Sequence, residues 1–352
     1  MWRKALKART RSLVLVVLLF SAVAVGVLWW QALRSQAQLR QQVMLQAEQR
    51  SQQVAGAVAG QIRAQLGTLD MALLSLRERW HADAPERMDA PTSELMASLP
   101  QGLASHVTVV NAKGLVAYNS LDVAPGTYVG DRSYFTALRT GGDRLVVSEP
   151  VRSRLTGQWV FTVSRRLLHG GRFDGVISLV LRSSFVAAQL AELELSERDV
   201  VSLIHPDGPY LARSRDNEAT MGQEAPPDRP YRADPTLAHG LYRVEEATSH
   251  VPRTYGWHRL PETGLVVTVG LADTSVLAPL APALQRNLLV TGLLSCLLLG
   301  FGGVIAHNQW QAARSQRALT ISEARLKEAQ RLTRLGSWSH EVSTGAVEWS
   351  EE

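Results

Sequence analysis

Residues 130–166 read GDRSYFTALRTGGDRLVVSEPVRSRLTGQWVFTVSRR, and the fold is decided by how turn residues and β-branched runs alternate along this stretch. Asp131 predicts an N-cap for a short helix over 132–140, and Gly141 with Gly142 predicts its end. Two β-rich runs follow, 145–151 and 158–165. A short helix beside a sheet is therefore expected. Arg132, Tyr134, Phe135, Trp159 and Arg165 are the candidate ligand-binding residues, being of the types that orient a small ligand in an otherwise apolar pocket. The alternative reading makes Phe135 and Trp159 core and leaves the arginines solvated.

Taken in order, five short patterns carry a resemblance. They are DR-x-YF (Asp131, Arg132, Tyr134, Phe135), EPV (Glu149, Pro150, Val151), TG-x-W (Thr156, Gly157, Trp159), SRR (Ser164, Arg165, Arg166) and G-x-F-x-GVI (Gly171, Phe173, Gly175, Val176, Ile177). This series resembles the membrane-distal half of double Cache domains, the PAS-like extracytoplasmic sensors of bacterial receptors. The resemblance implies an α+β fold in which a long N-terminal helix carries two tandem PAS-like antiparallel-sheet units, flanked by two transmembrane helices. It implies a transmembrane sensory receptor, or its input half, that binds a small molecule in the distal unit.

At 352 residues and 45% hydrophobic content, the chain is long enough for more than one core. Its net charge of +5 is carried by Arg3, Lys4, Lys7, Arg9 and Arg11, since 32 basic and 32 acidic residues remain elsewhere. The charge therefore gives no sign of a nucleic-acid partner. A basic cluster ahead of an apolar run is instead the positive-inside signal of a membrane helix. Cys296 is the one cysteine, which excludes an intrachain disulfide and any cysteine-based metal site.

Residues 12–33 carry no charge and include the Trp29–Trp30 pair expected at a membrane interface. From there to residue 80 good helix formers continue without proline, and Leu39, Val43, Ala47, Val54, Val58, Ile62, Leu66, Leu69, Leu73 and Leu76 form one apolar stripe. That stripe predicts a dimer seam, a face packed on the sheets, or both. A weak repeat follows: residues 106–120 and 199–214 each place a strand, a turn glycine (Gly114, Gly208), a second strand, and a serine six residues past the glycine (Ser120, Ser214). Residues 287–306 predict the second span, with Gly292, Cys296 and Gly300 on one face, like Ala22 and Gly26 in the first, as small residues for close packing.

The expected organisation is a cytoplasmic basic N-terminus (1–11), a first membrane helix (12–30) and a stalk helix (31–80). A distal Cache unit (81–190), a proximal Cache unit (191–285) and a second membrane helix (287–306) come next, and then a cytoplasmic signalling helix (307–334). Leu319, Leu326, Ala329 and Leu332 give that last helix near-heptad spacing. Residues 335–352 (Leu335, Gly336, Ser337, Trp338, Thr344, Gly345, Trp349, Ser350) resemble the opening of a cytoplasmic PAS domain too short to fold. This organisation implies an inner-membrane, two-pass homodimer with both termini in the cytoplasm.

Other motifs are refused. Ser339, His340 and Glu341 imitate a histidine-kinase phospho-acceptor box, but Gly345 and a strand-like run replace its helical continuation. Gly141, Gly142 and Asp143 are followed by Arg144 and Leu145 where a diguanylate cyclase signature needs an acid and phenylalanine. No histidine pair has metal-ligand spacing, and no P-loop, Rossmann fingerprint or nucleophile elbow is present. No catalytic residue and no cofactor is expected in this chain. The output of a longer parent is expected to be a diguanylate cyclase or histidine kinase, and the competing expectation is a non-enzymatic scaffolding protein whose PAS-like fold holds no ligand.

The resemblance also bears on ligand chemistry. Double Cache sensors for α-amino acids hold the carboxylate with an arginine and aromatic pair and the ammonium with a tyrosine and two aspartates. Arg132, Tyr134 and Phe135 match the first half, whereas Val151, Ser153 and Val180 stand at the positions of the second. A buried ammonium without a counter-charge costs several kcal/mol. The expected ligand is therefore a small organic acid or other anion, with Arg132 as anchor, Tyr134 as donor, Trp159 as wall and Arg165 as second charge. The competing expectation pairs Arg132 with Asp131 or Glu149.

Overall fold

The computed structural model describes residues 2–121, 126–153, 156–193, 195–245, 250–333, 338–340, 345 and 347–349. Most of the PAS-like opening expected at 335–352 lies outside the described residues, within which Trp338–His340 and Val347–Trp349 pair as a two-stranded ribbon. The chain divides into two compact units, Arg40–Pro279 and the combination of Met1–Leu39 with Leu280–Glu352.

Helix α1 spans Trp2–Arg79 without a break. No proline precedes Pro85, so nothing interrupts its hydrogen-bond ladder. A 3₁₀ turn (Pro85–Met88) and α2 (Asp89–Ser98) lead into the first sheet. Its strands are β1 (Ala104–Asn111), β2 (Val116–Asn119), β3 (Val146–Val147), β4 (Val151–Arg152), β5 (Trp159–His169) and β6 (Arg172–Arg182), with α3 (Ser133–Thr140) between β2 and β3. The order is β2-β1-β6-β5-β3, antiparallel throughout, with β4 also on β5. The run expected as one strand over 145–151 is split into β3 and β4, for Pro150 has no N–H to give the ladder.

Helix α4 (Ser183–Ala191) passes to the second sheet, built from β7 (Val200–Ile204), β8 (Tyr210–Arg213), β9 (His239–Glu245), β10 (Pro252–Arg259) and β11 (Val266–Ala272) in the order β8-β7-β11-β10-β9. Two short helices, α5 (Asn217–Thr220) and α6 (Pro230–Ala233), lie between β8 and β9, and α7 (Asp273–Leu277) follows β11. The weak repeat has a shared mechanism. Ser120 Oγ accepts from the Val107 N–H at 3.1 Å, and Ser214 Oγ accepts from the Val201 N–H at 2.9 Å, so each serine closes its own hairpin. Gly114 and Gly208 turn the two hairpins with φ of 80° and 115°, a region that favours glycine.

The stripe of α1 is largely spent inside this unit. Ala47, Val58, Ile62, Leu66, Leu69, Leu73 and Leu76 are buried in one continuous core with Val107, Val109, Phe161, Val163, Ile177 and Leu179 of the first sheet and Val201, Leu203, Val267 and Val269 of the second. Residues 51–63 of α1 meet the second sheet: Gln52 Nε2 lies 3.0 Å from His239 Nδ1, and Arg63 pairs with Glu262. Gly256 permits the closest approach, since a Cβ there would strike the backbone of Ser51 and Gln52. Residues 70–77 meet the first sheet through Asp70 and Arg77.

In the other unit, α8 (Ala281–Thr333) accompanies the start of α1. Two helical stretches, Val14–Arg79 and Asp273–Ala329, each contain a window long and apolar enough to cross a membrane. Close packing uses other small residues than those expected. Gly26, Gly292 and Gly300 face open space and Cys296 is exposed, whereas Ser21 fits against Gly302 and Trp29 Nε1 donates to Ser295 Oγ at 3.2 Å. Ser21, Thr291 and Ser295 are buried there because a small polar side chain can return its hydroxyl to its own helix, as Ser295 does to Thr291 O at 2.7 Å.

A polar sheet face beneath a short helix as candidate ligand site

Strand alternation divides the first sheet into two unlike faces. Phe161, Val163, Leu167, Ile177 and Leu179 enter the α1 core. On the opposite face, Val110, Val116 and Val176 pack under Phe135 and Leu138 of α3, and Phe173 meets Phe135 edge to face at 5.6 Å. Beyond the footprint of α3 that face turns polar. His106, Thr108, Ser148, Thr162, Ser164 and Ser178 are all buried, with Val180 among them.

These hydroxyls satisfy one another. Ser164 Oγ and Ser178 Oγ are 2.8 Å apart, Ser164 Oγ donates to Thr162 Oγ1 at 3.2 Å, and Asn119 Nδ2 donates to Thr108 Oγ1 at 3.1 Å. Ser148 Oγ accepts from the Thr162 N–H at 2.9 Å and donates to Glu149 O at 2.8 Å. Burial pushes the His106 imidazole down to about 4, so it is neutral at pH 7. None of these six residues is acidic. A floor of this kind offers donors and acceptors without net charge.

Helix α3 carries the motif residues over the apolar end of the same face, where Tyr134 packs against the cluster of Val110, Val116 and Phe135. It begins at Ser133, one residue later than expected, and Arg132 in place of Asp131 is its N-cap: the Thr136 N–H bonds Arg132 O at 3.1 Å, and no side chain caps the turn. Among the described residues the Arg132 guanidinium has no hydrogen bond and no ion pair, so it meets neither Asp131 nor Glu149. Tyr134 is half-buried. Burial pushes its phenol up to about 12, against a smaller opposite pull from Arg132, which leaves a neutral hydroxyl donor. Phe135 is 1% exposed and belongs to the packing of α3 rather than to an open wall.

The other two candidates are carried elsewhere. Arg165 shares the parity of Val163 and Leu167, so it emerges on the α1 face, where Asp70 and Asp143 hold it. The structure does not bring it to Arg132. Its neighbour Arg166 takes the α3 face, donating to Gly141 O at 2.6 Å with its guanidinium over Phe173 at 5.5 Å. Trp159 lies against Gly222, where a Cβ would come within 3.1 Å of the indole. The sequence reading missed Arg166 and the hydroxyl floor: strand parity sets Arg166 with Thr162 and Ser164, opposite Val163 and Leu167, but only the packing of α1 decides which of the two faces is covered.

No protein-family model matches the chain, and no curated protein sequence matches it. Solved structures do. The extracellular domain of rpHK1S-Z16, a protein assigned as a histidine kinase, aligns with a TM-score of 0.56 at 25% identity, over 67% of this chain and 97% of that one. The ligand-binding domain of the Pseudomonas fluorescens chemoreceptor CtaA, in complex with L-isoleucine, aligns at 0.52 and 13% identity, over 68% of this chain and 98% of that one. That of the Pseudomonas aeruginosa PAO1 amino acid chemoreceptor PctB, in complex with L-Gln, aligns at 0.52 and 14%, over 64% and 91%. The fold is that of the Cache-like ligand-binding domains of sensory receptors.

Proposed function

We propose that this chain is the input region of a two-pass, inner-membrane sensory receptor whose first sheet unit binds a small organic anion on the extracytoplasmic side. The reading is carried by the Arg132 guanidinium, which has no ion pair among the described residues, and by the neutral Tyr134 phenol on the same helix, together with a buried polar sheet face that bears no carboxylate among those residues. A carboxylate there gains a charge-assisted, geometrically bidentate partner. An amino acid would bring an ammonium as well, and Val180 stands buried on the floor where a counter-charge would be needed. The amino acids in the CtaA and PctB domains support a small-molecule site in this fold, and the departure at Val151, Ser153 and Val180 favours a different ligand class here.

Two apolar helices support a membrane location, and the basic cluster at residues 3–11 favours cytoplasmic termini. Signal then passes along α8 to a cytoplasmic PAS and output module, a diguanylate cyclase or histidine kinase. Exposed Leu319, Ile321 and Leu326 on α8 support a homodimer joined partly through that helix.

Thermal shift of the full chain in detergent tests the ligand class. Small carboxylates at a hundred times Kd raise stability by about 2.7 kcal/mol, and Arg132→Ala abolishes the rise. Stabilisation by free amino acids but not by their deaminated analogues overturns the reading.

A further inference from the structure

The motif that opens the distal site occurs twice. Asp228, Arg229, Pro230 and Tyr231 repeat the D-R-x-Y of Asp131, Arg132, Ser133 and Tyr134. The surroundings repeat with it. The Val129 N–H bonds Gly114 O at 2.8 Å and the Ala225 N–H bonds Gly208 O at 2.9 Å, after which the Arg132 N–H bonds Val129 O and the Arg229 N–H bonds Pro226 O. Arg229 is the N-cap residue of α6, as Arg132 is of α3. The second sheet thus presents the same device over its own outer face.

There the face encloses a cavity of about 310 Å³. Ser202 and Thr268, paired across β7 and β11, form its floor as Thr108 and Ser178 do in the first unit. Where the first sheet carries Ser148 and Thr162, the second carries Tyr242 and Tyr255, cross-strand partners whose rings stack in parallel at 4.9 Å and 3°. Tyr231 and Tyr210 complete an aromatic wall. Burial, then the neighbouring phenols, raises Tyr242, and burial raises Tyr231, so both are neutral donors.

The buried charge in this cavity is positive. The Arg229 side chain is 13% exposed and its guanidinium stands 5.4 Å over the Tyr242 ring, while its ion-pair partner Asp228, at 3.6 Å, is 72% exposed. Arg213 is 9% exposed at the other side. Of the two lining acids, Glu224 is exposed and engaged with Arg232 at 3.1 Å, and Asp216 lies at the exposed rim.

We propose that the second sheet unit holds a ligand site of its own, which takes a small aromatic carboxylate with its anion on Arg229 and its ring against the tyrosine wall. Flat aromatic faces favour an aromatic body, and a buried guanidinium with phenol donors favours an anion over a cation.

Calorimetric titration of the full chain with benzoate, in an Arg132→Ala background that removes the distal anion anchor, tests this directly. One benzoate binds per chain, Arg229→Gln weakens it at least tenfold, and so does Ala219→Trp, a substitution at an exposed lining position that fills the cavity without touching the core. Cyclohexanecarboxylate and benzylamine bind at least tenfold more weakly than benzoate. Absence of benzoate binding in the Arg132→Ala chain overturns the proposal, as does binding that survives Ala219→Trp. Equal affinity for cyclohexanecarboxylate overturns the aromatic assignment, and preference for benzylamine overturns the anionic one. Since Arg132 is already replaced, none of these outcomes depends on what the first unit binds.

Discussion

Arg165 grips Asp70 through two parallel hydrogen bonds, Nε to Oδ1 at 2.6 Å and Nη2 to Oδ2 at 2.7 Å, and thereby ties β5 to α1. Asp143 extends the pair, accepting from Arg165 Nη1 at 3.2 Å and from Arg77 Nη1 at 2.8 Å. The two side chains of the central pair are 15% and 20% exposed, so solvent screens them only in part. Asp70→Asn and Arg165→Met should each cost about 1–3 kcal/mol, read as a lower Tm of the full chain. The double variant should cost less than the sum, because it leaves no stranded charge.

Acid should loosen the same network. Burial alone would raise the Asp143 carboxyl, but its bonds to Arg77 and then Arg165 outweigh that and hold it below 3.8. A depressed carboxylate stabilises the fold above its unfolded pKa and ceases to do so as pH falls through the folded one. Melting curves of Asp143→Asn and the parent chain should therefore differ above pH 4 and converge below it.

His106 predicts a second pH dependence in a milder range. Its imidazole titrates near 6.5 when unfolded and about 4 when folded, so between those values the unfolded chain binds the extra proton. Stability is complete above pH 6.5 and should fall by a few kcal/mol as pH drops towards 4. His106→Gln should flatten that interval. An unchanged slope between those pH values would show that His106 does not set it.

Gly256 is a steric test of how α1 lies on the second sheet. A methyl group there meets the Ser51 and Gln52 backbone, and Ser51 has no exposed surface into which to retreat. Gly256→Ala should cost about 1–3 kcal/mol by overpacking, measured as a drop in Tm. Gly60, which faces open space on the same helix, should accept alanine without loss.

The proposed dimer can be tested where the structure leaves α1 uncovered. In a Cys296→Ser background, a cysteine at Leu45, 51% exposed, should crosslink to its twin. One at Val58, 3% exposed, should not, because its own sheets already cover it. Crosslinking at Val58 alone would mean that the helix leaves its core in the membrane.

Strand β11, at the centre of the second sheet, is buried along its whole length with Thr268 its one polar side chain. The hairpin repeat was legible from glycine and serine spacing, for the same local hydrogen bond closes both turns. Which face of the sheet receives Arg165 was not. That depends on which side α1 covers, a tertiary fact, and two adjacent arginines offer both answers at once. The second D-R-x-Y was obscured because Arg232 stands where Phe135 does, removing the aromatic that makes the first copy recognisable. Nor could the α1 stripe declare its partner, since one apolar face suits a sheet or a second helix equally.

Because residues 47–76 of α1 enter a single core shared by both sheets, their angular phase is fixed from end to end. One residue inserted between Val58 and Leu66 would turn every later side chain by about 100° relative to every earlier one. One set of buried side chains would then leave its sheet, whichever set kept its place. The segment tolerates exchange of side chains but not change of length, so it works as a spline whose teeth engage two gears at once.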